Sequence, residues 1–165
     1  MADNDWGSTR IDGLRELNEA LKQLPANVAK NVLRGATNAG AAVIRAEAKQ
    51  RAPVYTGSLI STDHPPPGTL KKSIVQRQVR ELSSQVQQTI HIGVRSGKAL
   101  KDKAGRSLDA YYWRFVEFGT SKMAARPFLR PAFEAKKLAA IEAIKKYMAE
   151  RIPREVEKLP KGPRK

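Results

Sequence analysis

Residues Tyr111–Ala132 read YYWRFVEFGTSKMAARPFLRPA, and the rest of the chain is best read outward from them. Tyr111, Tyr112, Trp113, Phe115 and Phe118 fall within eight positions of a chain that is otherwise poor in aromatics. A break follows at Gly119-Thr120, and then a proline-bracketed knot, Arg126-Pro127-Phe128-Leu129-Arg130-Pro131. The run Ala110–Phe118 is expected as a strand, with Gly119 ending it in a backbone conformation that a larger residue would resist. Large apolar side chains beside arginines are the residue types over-represented at binding hot spots.

Glu117 lies inside this apolar run. On a strand it would share a face with Tyr111, Trp113 and Phe115. A bare buried carboxylate is costly, so a partner such as an arginine is expected. A structural glutamate, salt-bridged or at an edge, is favoured over a general base, because no second catalytic group accompanies it.

On the N-terminal side, the pattern of Gln85–Arg95 alternates. Val86, Ile90, Ile92 and Val94 take one face, and Gln87, Thr89, His91 and Arg95 the other, as in a half-buried strand. Lys72–Arg80, with Ile74, Val75 and Val79, predicts its partner, and Glu81–Ser84 the hairpin turn. Between that hairpin and the aromatic run lies SGKALKDKAGRSLD, a long basic loop carrying Lys98, Lys101, Lys103 and Arg106.

Further upstream, Ile11, Leu14, Leu17, Leu21 and Leu24 recur at spacings of three and four and predict a short amphipathic helix, with Asp12 at its start. A second helix is expected from Pro25 to Arg51, its inner stripe being Val28, Val32, Ala36, Ala39, Val43 and Ala46. Its small residues, with Gly35 and Gly40, would let another backbone approach closely. Pro53 ends it. The triple proline Pro65-Pro66-Pro67 marks a stiff loop. Downstream of the knot, Phe133, Leu138, Ile141, Ile144 and Met148 predict a helix over about Pro131–Arg151, stopped by Pro153.

The element order predicts an α+β domain: an antiparallel sheet of about three to four strands, packed with two N-terminal helices and one C-terminal helix. One domain is expected over residues 10–152, with exposed loops at 56–69 and 96–109. Residues 1–9 read as a flexible leader and 153–165 as a basic flexible tail. Trp6 stands alone on the leader.

Composition limits the function classes. The chain has 165 residues, 31 Lys and Arg against 16 Asp and Glu, and no cysteine. Disulfides, thiolate metal sites and cysteine nucleophiles are excluded. No apolar run approaches bilayer length, so no membrane association is expected. His64 and His91 have no neighbours at metal-ligand spacing, and the glycines form no phosphate loop. No catalytic residue, metal or cofactor is therefore assigned. A net charge of +15 favours polyanions, through contacts indifferent to base sequence.

Four blocks occur in order: Ala52-Pro53-Val54-Tyr55-Thr56-Gly57, Leu70-Lys71-Lys72-Ser73-Ile74, Phe115-Val116-Glu117-Phe118-Gly119-Thr120, and Ala125–Ala132. Together they resemble the tail-completion or neck (head–tail joining) family of long-tailed bacteriophages, the group that includes lambda's minor tail protein Z. The similarity runs from about Leu14 to Tyr147, with Ser58–Gly68 as an insertion. The resemblance implies a non-enzymatic virion protein, made in the host cytoplasm. It would complete the tail and join it to the head as a hexameric ring around the DNA path, beside other neck and tail proteins. A ring needs two different patches per subunit. Candidate subunit-interface residues are Tyr112, Trp113, Phe115, Glu117, Phe118, Arg126, Phe128, Leu129 and Arg130. Candidate DNA-facing residues are Lys98, Lys101, Lys103 and Arg106, in non-specific contact with the genome. The alternative is a free, sequence-independent nucleic-acid-binding protein using that loop and the tail. An enzyme would require Glu117, Asp109 or His91 to converge on a metal.

Overall fold

The computed structural model describes residues 14–22, 24–54, 65–97 and 109–159. The elements among them are α1 (Leu14–Lys22), α2 (Ala26–Arg51), α3 (Thr69–Ser73), β1 (Ile74–Gln78), β2 (Ile90–Val94), α4 (Trp113–Phe118) and α5 (Leu129–Glu157). The leader with Trp6, Ile11, Asp12, His64, the Thr56-Gly57 dipeptide and residues 160–165 lie outside the described residues.

The frame is a pair of long antiparallel helices, α2 and α5. Pro25 caps α2 with extended backbone, and its carbonyl accepts the amides of Val28 and Ala29, both at 2.9 Å. A proline suits that position because its missing N–H would find no helical partner there. Ala52, immediately before Pro53, leaves the helical region at φ −60°, ψ 120°, as a pre-proline residue should. The helices meet along small residues: Ala36, Gly40 and Ala48 on α2, Ala132 and Ala140 on α5, all buried. A Cβ on Gly40 would come within 2.7 Å of Ile144 Cγ1 and 3.0 Å of the Ala140 carbonyl, and one on Gly35 would run into the Tyr147 ring. The expected close approach is thus present, and its partner is the C-terminal helix.

Both inner stripes match the expected ones only in part: Val32 and Ala36 on α2 and Met148 on α5 are buried as expected. On α2 the buried line passes through Val32, Ala36, Gly40 and Ala48, whereas Ala46 is exposed. On α5 it passes through Ala132, Ala140, Met148 and Ile152, and Leu138 is 58% exposed. Apolar spacing alone leaves the line of contact ambiguous. Contact follows rows of residues four apart, and the tightest point of each row holds the smallest residue. Nor does Pro153 end α5, which continues to Glu157. Met148 and Ile152 are anchored on α1 and α2, and Arg151 pairs with Glu155 at 2.8 Å across the proline. Packing offsets the hydrogen bond that the proline removes.

β1 and β2 form an antiparallel pair in the register Ile74↔Val94, Gln76↔Ile92 and Gln78↔Ile90. Those residues face α2, where Gln76 Nε2 donates to Asn38 Oδ1 at 3.1 Å. Among the described residues the sheet has two strands, fewer than the three or four expected. β2 also starts later than Gln85. Val86 is 87% exposed, and the chain there is turned by serines: Ser84 Oγ accepts the Gln87 amide at 3.1 Å and Ser83 Oγ the Thr89 amide at 3.1 Å. α3 went unexpected. Gly68, at φ 79°, turns the chain into it, and Thr69 Oγ1 donates to the Pro66 carbonyl at 2.7 Å.

The expected third strand is the helix α4. Tyr112, Trp113, Val116 and Glu117 point inward, while Tyr111, Arg114, Phe115 and Phe118 point outward. That period is helical, and a strand would have put Phe115 beside Trp113. The bulky residues satisfy either periodicity over so short a run, and the surrounding packing selects the helix.

Apolar packing gathers at the two ends of the α2–α5 pair. One cluster holds Leu21, Leu24, Val32, Ala36, Met148 and Ile152. The other holds Ala48, Ala52, Leu70, Ile74, Ala110, Phe128 and Ala132, with Ile92, Val94, Trp113 and Val116 against it. Among the described residues, no helix is long and apolar enough to cross a membrane.

Candidate functional site

The second cluster carries the knot. After α4 the chain passes Gly119, at φ 75°, where a Cβ would lie 2.9 Å from the Ala125 amide nitrogen and 3.0 Å from the Met123 carbonyl. Glycine is required twice over, by conformation and by space. Thr120 and Met123 then bond to each other, and the Arg126 amide donates to the Val116 carbonyl at 2.8 Å. This folds the 119–126 loop back on α4 and delivers Phe128 to the start of α5, where its side chain is fully buried.

Glu117 closes the arrangement. Its Oε2 accepts the backbone amides of Phe128 at 2.8 Å and Leu129 at 3.1 Å, and its Oε1 accepts that of Arg130 at 3.1 Å. These are the N-cap and the first two residues of α5. The next, Pro131, has no N–H to satisfy. All four positions at the helix start that lack an intrahelical partner are thereby accounted for, three by acceptors and one by the proline. A negative charge at that end also opposes the positive end of the helix dipole. The partner expected for this buried carboxylate was an arginine, but its partners are three backbone amides. The strand-face reading of Glu117 fails with the strand itself.

The knot presents an apolar surface. Tyr111 (54% exposed), Phe115 (51%), Phe118 (70%) and Met123 (41%) surround α4 and its loop. Beside them, Pro53, Val54, Tyr112, Val116, Met123 and Arg126 are among the residues that line a cavity of about 400 Å³. Burial pushes the Tyr112 hydroxyl above its ordinary pKa, a shift countered by a hydrogen bond with the Leu70 backbone. The Arg114 guanidinium lies 5.5 Å from the centre of the Trp113 ring. A second apolar groove, of about 600 Å³, runs between α2, β2 and α5, with Ile44, Ile90, Ile92, Phe133 and Ile144 in its walls.

The nine interface candidates therefore divide. Phe115, Phe118, Arg126 and Arg130 are exposed. Tyr112, Trp113 and Leu129 are half-buried against the core. Glu117 and Phe128 are interior and hold the knot together. Tyr111, Val54 and Met123 join the exposed surface without having been among the candidates. Met123 carries no periodic signal, because a loop places it. Lys98, Lys101, Lys103 and Arg106 lie outside the described residues. His91 is exposed on β2, opposite Arg77. Asp109 is buried and accepts the Gly97 amide at 2.9 Å, so it serves as a loop brace. Among the described residues, no group of three or more His, Cys, Asp or Glu could hold a metal ion.

No curated protein and no solved structure matches this chain. A family model does match. It is that of the HK97-gp10-like proteins, described as "Bacteriophage HK97-gp10, putative tail-component", and it covers residues 15–119. The match runs from α1 through α4 to the glycine that turns the knot, well over half of the chain, and the chain belongs to this family of phage tail components.

Proposed function

We propose that this tail component is a structural neck subunit, of the same type as lambda's minor tail protein Z. It completes the tail and joins it to the head as a closed, hexameric ring around the DNA path, and it performs no catalytic step. One observation carries this reading: the subunit presents two apolar surfaces that share no residue. The first is the Tyr111, Phe115, Phe118 and Met123 surface, and the second is the groove between α2, β2 and α5. A head-to-tail ring needs two such unlike patches, one fitting the other on the next copy. Large exposed aromatics held on a braced scaffold lose little freedom on docking, which favours an assembly role over a solvated one.

The test is complementation in vitro. Tails made without this protein are mixed with purified heads and the purified chain. Infectious particles are expected to appear, with six copies per particle by quantitative mass spectrometry. Tails that stay defective at saturating protein would contradict the reading.

A further inference from the structure

Positive charge exceeds negative on several elements, α2 among them, and on the hairpin much of the excess is gathered on one exposed face. On the helices, some bases meet carboxylates, while others, such as Lys22, Lys30 and Lys146, have no ion-pair partner among the described residues. Glu47 meets Arg51 at 2.7 Å and Lys136 at 3.7 Å; Glu134 meets Lys137, Glu142 meets Lys145, and Glu155 meets both Arg151 and Lys158. Residues 65–97 hold Lys71, Lys72, Arg77, Arg80 and Arg95 against one acid, Glu81. All five bases are exposed, and among the described residues none of them is paired with a carboxylate.

The register puts much of this charge on one face. Val75 lies opposite Gly93 and Arg77 opposite His91, and the Arg95 amide donates to the Ser73 carbonyl at 2.8 Å. Directly opposed residues point the same way, so Arg77, His91 and Arg95 share the side turned from α2. The middle of that side is open: a Cβ on Gly93 would meet nothing within 4 Å. At the far end, Arg77, Gln78, Val79, Arg80, Glu81 and His91 line a recess of about 710 Å³. Lys71 and Lys72 precede β1 on α3. Arg77 and Arg95 stand about four residues apart along the ribbon, roughly 13 Å, a span that matches an extended polyanion better than a single small anion.

We propose that this outer face of the β1–β2 hairpin, through Arg77, Arg80 and Arg95 with Lys71 and Lys72 alongside, contacts the phosphodiester backbone of duplex DNA without regard to base sequence. Flexible bases on an open face supply point charges and no fixed pattern of donors to base edges, so the contact positions without specifying. The inference deepens the neck reading and rests on it for the source of the DNA. It places the contact on the hairpin in addition to whatever the 98–106 loop does.

The experiment compares purified full-length proteins on a labelled 30-base-pair duplex of arbitrary sequence across a salt series. In the triple variant Arg77→Gln/Arg80→Gln/Arg95→Gln, the slope of log K against log salt should shrink by about 2 to 3, at roughly 0.9 for each phosphate no longer neutralised. Affinity should fall about tenfold or more, equally for unrelated duplexes. The Arg-to-Lys triple at the same sites should keep the wild-type slope, and the thermal midpoints should agree. A second triple, Lys22→Gln/Lys30→Gln/Lys146→Gln, removes equal charge from exposed helical sites and should leave the slope nearly intact. Wild-type affinity and slope in the hairpin triple would overturn the proposal and leave an acidic protein neighbour as the partner of this face. Equal losses in both Gln triples would also overturn it, since binding would then follow net charge alone. Complementation of defective tails is read separately, so the failure of either idea is visible without the other.

Discussion

The two ends of the α2–α5 pair are built on different principles. At one end, Leu21, Leu24, Val32, Met148 and Ile152 interlock, all from helices or their immediate borders. Many similar side chains share the burial there, and the loss of one leaves the others packed together. At the other end, alanines close around a single large ring, Phe128, and a buried carboxylate organises the chain that holds it. Here α2, α3, β1, α4 and the start of α5 meet, with few residues able to substitute for one another. The first end resembles a helical bundle, where stability is distributed. The second behaves as a keystone, where stability is concentrated, and it is the end that displays the exposed aromatics.

The contrast is broken most severely by Phe128→Ala. Removing a fully buried phenylalanine should cost about 3 to 5 kcal/mol, whereas Met148→Ala at the helical end should cost less, near the lower end of the about 2 to 5 kcal/mol such truncations span. Urea titration of both variants checks this, and equal losses would erase the distinction. Next comes Glu117→Ala, which strands three amides at a helix start. A loss of about 2 to 4 kcal/mol is expected, with Glu117→Gln falling between it and wild type because one amide oxygen remains to accept. Hydrogen exchange should show the lost protection concentrated at Phe128–Arg130. A loss spread evenly along α5 would mean that Glu117 is not the cap.

The same division separates what the amino-acid sequence reveals from what it hides. α2 was legible nearly to the residue, since Pro25 and Pro53 bracket it and its pattern is local. The hairpin is legible in the shared face of Ile90, Ile92 and Val94 but not in register or extent, because serine side chains, not periodicity, turn the chain at Ser83–Thr89. α4 reads as a strand in the sequence because aromatics at Tyr111–Phe118 suit a strand as readily as a single helical stripe, and only the core beneath decides. Glu117 stands out as unusual in the sequence, yet its partners lie 11 to 13 residues away, beyond any capping motif that spacing reveals. Pro153 misled for the converse reason. Its local rule is sound, but Ile152 and Met148 outweigh it through tertiary packing.

The smallest expected effect on stability is the most informative about role. Phe118 is 70% exposed, so Phe118→Ser should change stability by no more than about 0.5 kcal/mol. In the complementation assay, however, Phe115→Ser/Phe118→Ser should cut the yield of infectious particles at least about tenfold, the factor that a loss of about 1.4 kcal/mol at an interface produces. Full yield from that folded variant would make the aromatics of α4 bystanders.

A side-chain-resolution reconstruction of the neck of the assembled particle tests the central claim most directly. The account predicts a closed ring in which Phe115 and Phe118 of each copy are covered by the next copy, with the hairpin bases turned toward the DNA path. A particle in which this chain is a lone copy, or in which those rings remain in solvent, would contradict it.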